Sequence, residues 1–172
     1  NSAEFRADVW DRVFPGQLPT GAVDVNVVDE RGFELEDVRL LPVEVGHTDT
    51  DATTMLHVPE IGLLVAGDVV YNGVHLYLTE SGGVTGIEEW LAALDIAETL
   101  RPASVISGHK KPRAFDNPSQ IQATRRYLTD ARELLKSSTH AEGFYKGMLA
   151  LHPYRINPGA LWGAAITLLP ET

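Results

Sequence analysis

Between residues 22 and 68 the apolar positions come in short runs, AVDVNVV, VRLLPVEV, TTMLHV and LLVAGD, split by the turn-forming stretches DERG and PEIG. Short, Val-rich runs bounded by turn residues predict strands, so this half is read as sheet. TTMLHVPEIGLLVAGD reads as a hairpin with Pro59, Glu60 and Gly62 at its turn. Beyond Asp68 the period lengthens. Thr85 and Glu88 form a capping box ahead of Ile87, Trp90, Leu91, Leu94 and Ala97, whose spacing predicts a helix to about Leu100. ASVIS, between Pro102 and Gly108, predicts one more strand. Asn117 as N-cap and Pro118 at the first helical position then open a helix through Ile121, Leu128 and Leu135 to near Ser137. Thr139 with Glu142, and Asn157 with Pro158, start two further helices. Trp90, Tyr127 and Trp162 at helical spacing read as core. Strands followed by helices, with one strand between two helices, indicate the α/β class in an α+β layered arrangement.

Composition narrows the function classes. A chain of 172 residues with 44% hydrophobic content is the size of one domain with a substantial core. Its 24 acidic and 14 basic residues give a net charge of -10, which disfavours nucleic acid and anionic membrane surfaces as partners. With no Cys there is no disulfide framework and no thiolate metal site, so any metal must sit on His, Asp or Glu. NSAEFRADVW carries no basic region followed by an apolar core, and no apolar run approaches the ~18 residues of a membrane span. The expectation is a soluble, cytoplasmic protein.

The polar residues at the strand ends change the picture further. His47 follows Gly46 after LLPVEVG, Asp68 follows Gly67 after LLVAG, and His109 follows Gly108 after SVISG. Glycine at a strand end lets the backbone turn sharply and carries the next side chain over the sheet edge. If those strands are neighbours, two imidazoles and a carboxylate converge, a donor set suited to Zn(II), Fe(II) or Mn(II). Asp49 and Asp51, in VGHTDTD, are placed to orient a ligand imidazole, although Asp after a turn Thr more commonly makes an Asx turn. His75, in YNGVHLYL, falls on the loop expected to overlook the site, as a substrate contact. Lys110, with Lys111 beside it, is placed to meet an anionic substrate group, against plain solvation. His57 alternates with Leu56 and Val58 and reads as structural; His140 and His152 are given no role.

In these three contexts and their order, VGHTDTD, VAGDVVYNG and VISGHKKP, the sequence resembles the metallo-β-lactamase fold superfamily. The resemblance runs from about residue 23 to 137, and HPYRINPGALWGAA is similar to a C-terminal helical extension in one branch of that family. It implies the C-terminal portion of an αββα sandwich, a mostly antiparallel sheet covered by helices. One domain then spans residues 1–172, with its core at about 22–137 and a helical extension at 138–172. The resemblance also implies metal ligation, His47 to one metal, Asp68 bridging and His109 to the other, with zinc, iron or manganese as cofactor. In the family, metal-bound water attacks an ester, thioester, amide or phosphoester. No catalytic residue beyond the ligands is implied.

One departure qualifies this. The family's His-x-His-x-Asp-His motif, which supplies most of the remaining ligands, has no counterpart here, since the first His is His47. The expectation is therefore a proteolytic product, a truncated gene product or one half of an assembly. Two functions follow: a truncated metal-dependent hydrolase acting on a small molecule, or a non-catalytic remnant serving as a dimerising or binding module. The expected partner is a second copy or a complementing N-terminal half, and the metal site is expected to be weak or empty.

Overall fold

The computed structural model describes residues 6–19, 21 and 26–170. Among them, five strands form one sheet in the order β1-β2-β3-β4-β5: β1 Phe33–Leu35, β2 Val38–Gly46, β3 Thr53–Val58, β4 Leu63–Asn72 and β5 Ser104–Lys110. The first three pairings are antiparallel and β4–β5 is parallel. Strands β2, β4 and β5 therefore point the same way, and their C-terminal ends share one edge. Helix α1 (Gly83–Thr99) is the crossover that a parallel pair requires, and α2 (Ser119–Ser137), α3 (Ala141–Leu151) and α4 (Pro158–Leu168) follow β5.

Cross-strand register sorts the sheet residues into two faces. Val43 lies opposite Met55, and Leu64 opposite both His57 and Val105. Val45, Met55, Leu64, Ala66 and Val105 on that face join the buried core with Trp90, Leu94 and Leu128 of the helices. Burying a large apolar side chain contributes about 1.5–3 kcal/mol, so this face holds α1 and α2 to the sheet. The alternate register, Phe33, Pro42, Leu56, Val65 and Ile106, lines the other face. That face is also apolar, yet Phe33 and Ile106 remain 44% and 37% exposed, and Phe33, Pro42, Leu56 and Val65 border a groove of about 340 Å³.

The β3–β4 hairpin turns as the sequence predicts. Pro59 opens a 3-10 turn, and Gly62 closes it at φ 60, in the left-handed region where glycine is favoured. The Gly62 carbonyl then accepts from the N–H groups of Ala103 and Ser104, at 2.7 and 3.1 Å, which fastens the start of β5 to the hairpin.

Several boundaries differ from the sequence reading. AVDVNVV is not a strand over residues 26–28, and residues 22–25 lie outside those described. The first strand comes after the DERG turn instead, where Asp29 accepts from Gly32 N–H through its carbonyl and from Arg31 N–H through its carboxylate. Helix α1 starts at Gly83 behind Gly82, both at positive φ, so Thr85 and Glu88 lie within its first turns and form no capping box. Helix α2 begins at Ser119, so Pro118 and not Asn117 is its N-cap, although the Asn117 side-chain oxygen accepts from Ser119 N–H at 2.8 Å. His140, not Thr139, caps α3: its Nδ1 accepts from Gly143 N–H at 3.1 Å. Asn157 and Pro158 open α4. No helix among the described residues is long and apolar enough to cross a membrane.

Strand β4 is irregular along its second half. Pairing with β3 ends at Val65, and the register against β5 shifts between Val65 and Gly67 and again between Gly67 and Tyr71. Helix side chains take up the backbone groups this leaves. The Thr124 hydroxyl accepts from Tyr71 N–H and donates to Tyr71 C=O, both at 3.1 Å, and Trp90 Nε1 donates to Val69 C=O at 2.9 Å. Thr124→Val keeps the shape and removes both bonds, leaving two buried backbone groups unmatched at about 1–3 kcal/mol each. Urea denaturation should show a loss of roughly 2–6 kcal/mol, with Thr124→Ser close to wild type; equal stability of the Val variant would show that β4 does not depend on this residue.

Candidate functional site

Asp68 lies inside β4 and His109 inside β5, not beyond their ends as the glycine contexts predict. The register shifts place Tyr71, not Asp68, opposite His109, and Asp68 stays within reach across Gly108. In register, Tyr71 pairs with His109 and Gly67 with Ser107, so residues 68–70 of β4 bulge opposite Gly108. The Asp68 carboxylate folds over Gly108, where an added Cβ would fall 2.1 Å from Asp68 Oδ1 and 2.9 Å from the Gly67 carbonyl carbon. Only glycine leaves that space. Asp68 Oδ1 then stands 3.5 Å from His109 Nε2, with both side chains partly open to solvent. The His109 ring stacks on Tyr71, centroids 5.3 Å apart at 20°, and Tyr71 meets Trp90 edge-on at 6.0 Å. The imidazole plane is thus held from the core.

Asp49 joins this pair. It is 6% exposed and accepts from Thr48 Oγ1 at 3.1 Å and from the Tyr71 hydroxyl at 3.4 Å. Burial, and then the charge of Asp68, push its carboxyl above the ordinary range. Burial, and then Asp49 and Asp68, raise the Tyr71 phenol too, so it stays protonated and donates. Asp49, Asp68, Tyr71, His75, His109 and Trp10 border one cavity of about 510 Å³.

His47 has other partners. Its Nε2 is 3.0 Å from the Ser81 carbonyl and its Nδ1 2.7 Å from Asp51 Oδ1. Both oxygens only accept, so the two ring nitrogens are satisfied together only as the two N–H donors of the protonated imidazole. Burial alone lowers the pKa, but the Ser81 carbonyl and the Asp51 carboxylate outweigh it and hold the imidazole above its ordinary value. A metal ligand needs a bare nitrogen lone pair, which His47 presents only by breaking one of these contacts. Asp51 thus orients an imidazole, that of His47. Lys110 is engaged by Asp116, at 2.8 and 3.0 Å from its two carboxylate oxygens. His75 is buried on the cavity wall. Among the described residues no group of three or more His, Asp or Glu is placed to hold a metal ion.

Two features of the site carry no local signal in the sequence, the place of Tyr71 and the steric role of Gly108. The glycine context of Gly108 suggests a sharp turn at a strand end, whereas its effect is to leave empty the volume that Asp68 occupies. Tyr71 follows Asp68 by three residues, and only the irregular register sets it under His109.

A family sequence model described as the metallo-beta-lactamase superfamily matches residues 3–109. No curated protein matches the sequence. Among solved structures, the fold is similar to a metallo-beta-lactamase family protein from Thermus thermophilus, with TM-score 0.58 and 18% identity over 97% of this chain and 58% of that one. It is also similar to a beta-lactamase domain protein from Burkholderia ambifaria, with TM-score 0.58 and 19% identity over 88% of this chain and 46% of that one. The chain spans about half the length of these structures.

Gly108→Ala tests the geometry of the pair. The new methyl must displace the Asp68 carboxylate or part β4 from β5, at a cost of roughly 1–3 kcal/mol by analogy with overpacking. The expected outcome is that loss in denaturation, together with a change in the His109 ring resonances in NMR; unchanged His109 resonances would show that Asp68 is not held against it.

Proposed function

The chain belongs to the metallo-β-lactamase superfamily, and on that premise we propose that it supplies part of a metal-dependent hydrolase centre acting on a small molecule. The observation that carries this reading is the Asp68–His109 pair, 3.5 Å apart at the mouth of a cavity. A carboxylate and an imidazole are donors for zinc, iron or manganese. They fit such an ion as part of a shell and not as the whole of one, since a catalytic zinc keeps three protein ligands. A bound divalent ion would supply an activated water, its pKa brought towards neutrality, for attack on an ester, thioester, amide or phosphoester.

The chain's own residues do the rest. Tyr71 fixes the plane of His109 by stacking, and Gly108 gives Asp68 its place. The further donors come from outside the described residues, from a complementing half, or from His47 once it is released by Ser81. Supporting the complementing half, the chain covers about half of each solved structure it resembles.

Titration of the purified chain with zinc or manganese by calorimetry should show weak binding that Asp68→Asn or His109→Gln removes, with little hydrolysis of model esters, lactams or phosphodiesters. Tight stoichiometric zinc that survives both substitutions would overturn this assignment of donors. Turnover by the chain alone, abolished by Asp68→Ala, would show that it holds a complete centre.

The open apolar sheet face favours a second reading, that of a docking module without catalysis. Phe33, Pro42, Leu56, Val65 and Ile106 present a hydrophobic surface of the kind that marks an interaction site. We propose that it pairs with a second copy or with the complementing half, and closed two-fold dimers are the commonest such solution. Sedimentation at micromolar concentration should show a dimer that Phe33→Asp dissociates; a well-behaved wild-type monomer would remove the self-association.

A further inference from the structure

Most of the chain's scarce cations are engaged within the fold. Lys110 is held by Asp116, Arg125 by Asp95 and Glu98, and Arg155 by the Val74 and Ala123 carbonyls. Lys111 and Arg113 differ. Both side chains are exposed, and neither makes an ion pair or hydrogen bond among the described residues. Phe115 follows on the same loop, 87% exposed. Interface anchors are drawn largely from aromatic residues and Arg, so a phenyl ring left in water beside two free cations marks a contact surface.

The loop that carries them is fixed by the rest of the fold. Asn72 Nδ2 donates to the Phe115 carbonyl at 2.9 Å and Ser104 Oγ to the Asp116 carbonyl at 3.1 Å. Lys111 N–H donates to the Asn72 carbonyl at 2.7 Å. The backbone of Phe115 is thus tied down while its ring stays in solvent, and an anchor already in place loses little conformational entropy on binding.

Its chemical complement is on the same molecule. Val28, Pro42 and Thr54 border a groove of about 400 Å³ whose charged residues are Glu30 and Glu44. Both carboxylates are exposed and have no partner among the described residues. The loop does not reach its own groove, because β3 and β4 lie between β2 and β5, a separation of about 14 Å. We propose that the 111–115 loop of one copy docks in this groove of a second copy, Phe115 against Val28 and Pro42, and Lys111 and Arg113 against Glu30 and Glu44. Charge selects this occupant. At a net charge of -10 two copies repel over most of their surfaces, whereas this contact sets a positive patch against a negative one. The groove beside Tyr145 and Trp162 fits less well, since its Glu142 is already paired with Lys146. The contact rests neither on the hydrolase reading nor on face-to-face pairing of the open sheet faces.

Sedimentation of the full chain over a micromolar concentration series tests it. Phe115→Ser should weaken association about tenfold. The paired reversal Lys111→Glu with Arg113→Glu should weaken it, and so should Glu30→Lys with Glu44→Lys. The second pair is the sharper, because each Glu→Lys adds two positive charges and brings the net charge from -10 to -6. Mere relief of repulsion would then strengthen association. Joining all four reversals in one chain restores opposite charges at the original net charge, and association should return to near wild type. The substituted side chains are exposed, and urea midpoints equal to wild type will show that the variants keep the fold. A monomeric wild type, undiminished association of Phe115→Ser, or a four-fold variant no better than either pair would each overturn the contact. Association lost with Phe33→Asp but indifferent to both reversals would assign the dimer to the sheet face and overturn the loop contact alone.

Discussion

The structure turns on the way β4 and β5 fail to run in regular register. A regular parallel pair continued from Val65 and Ile106 would set Asp68 directly opposite His109 and carry Tyr71 past the end of β5, away from the imidazole. The shift between Gly67 and Tyr71 frees a short bulge, and Gly108 leaves the volume into which the Asp68 carboxylate folds. Bulges re-aim side chains at the cost of ladder hydrogen bonds. Here that cost is offset from the helical layer. Thr124 takes both backbone groups of Tyr71, and Trp90 takes the Val69 carbonyl. The same residues pack the core, so the site geometry and the docking of α1 and α2 on the sheet are one problem with one solution.

How much of this is legible in the sequence depends on the range of the interaction that decides it. The strands β2 to β5 and helices α1 to α4 follow from local period and turn chemistry, and the Asp68–His109 partnership from two glycine contexts. Differences arise where a competing local group wins. Gly82 and Gly83, at positive φ, start α1 ahead of Thr85, and His140 displaces Thr139 because its Nδ1 reaches the Gly143 N–H. The extent of β4 is hidden for a different reason. Gly67 and Asp68 look like a strand end in sequence, but pairing of Tyr71 with His109 and of Asn72 with Lys110, together with the bonds from Thr124 and Trp90, carries the strand on to Asn72.

His47 shows why donor type alone does not settle a site. Its context, between Gly46 and Thr48, is as suggestive as those of Asp68 and His109. What decides its present state is that both ring nitrogens face oxygens, one a carbonyl at the start of α1 and one the carboxylate of Asp51. Each of those contacts favours the protonated ring, and a proton and a metal compete for the same lone pair. The Cβ that Gly86 lacks would come 2.8 Å from His47 Nε2, so the approach of α1 to this ring also requires glycine. His47 is thereby coupled to the position of α1, while His109 is coupled through Tyr71 to the core.

Two kinds of incompleteness meet on β4. Val65 lines the open apolar groove, and Asp68, three residues on and about 10 Å further along the strand, borders the polar cavity. The first lacks apolar cover and the second lacks donors. Because both lie on one strand, a single body laid over Phe33, Pro42, Leu56 and Val65 would bring its own edge to the mouth of the cavity. Under the proposed assembly, association and completion of the donor set are then the same event. The apolar face would supply the affinity, since its burial needs no metal, and the Asp68–His109 pair would be completed only when that contact forms. Such coupling would also keep metal-activated water from forming on the unpaired chain, where the two donors remain partly open to solvent.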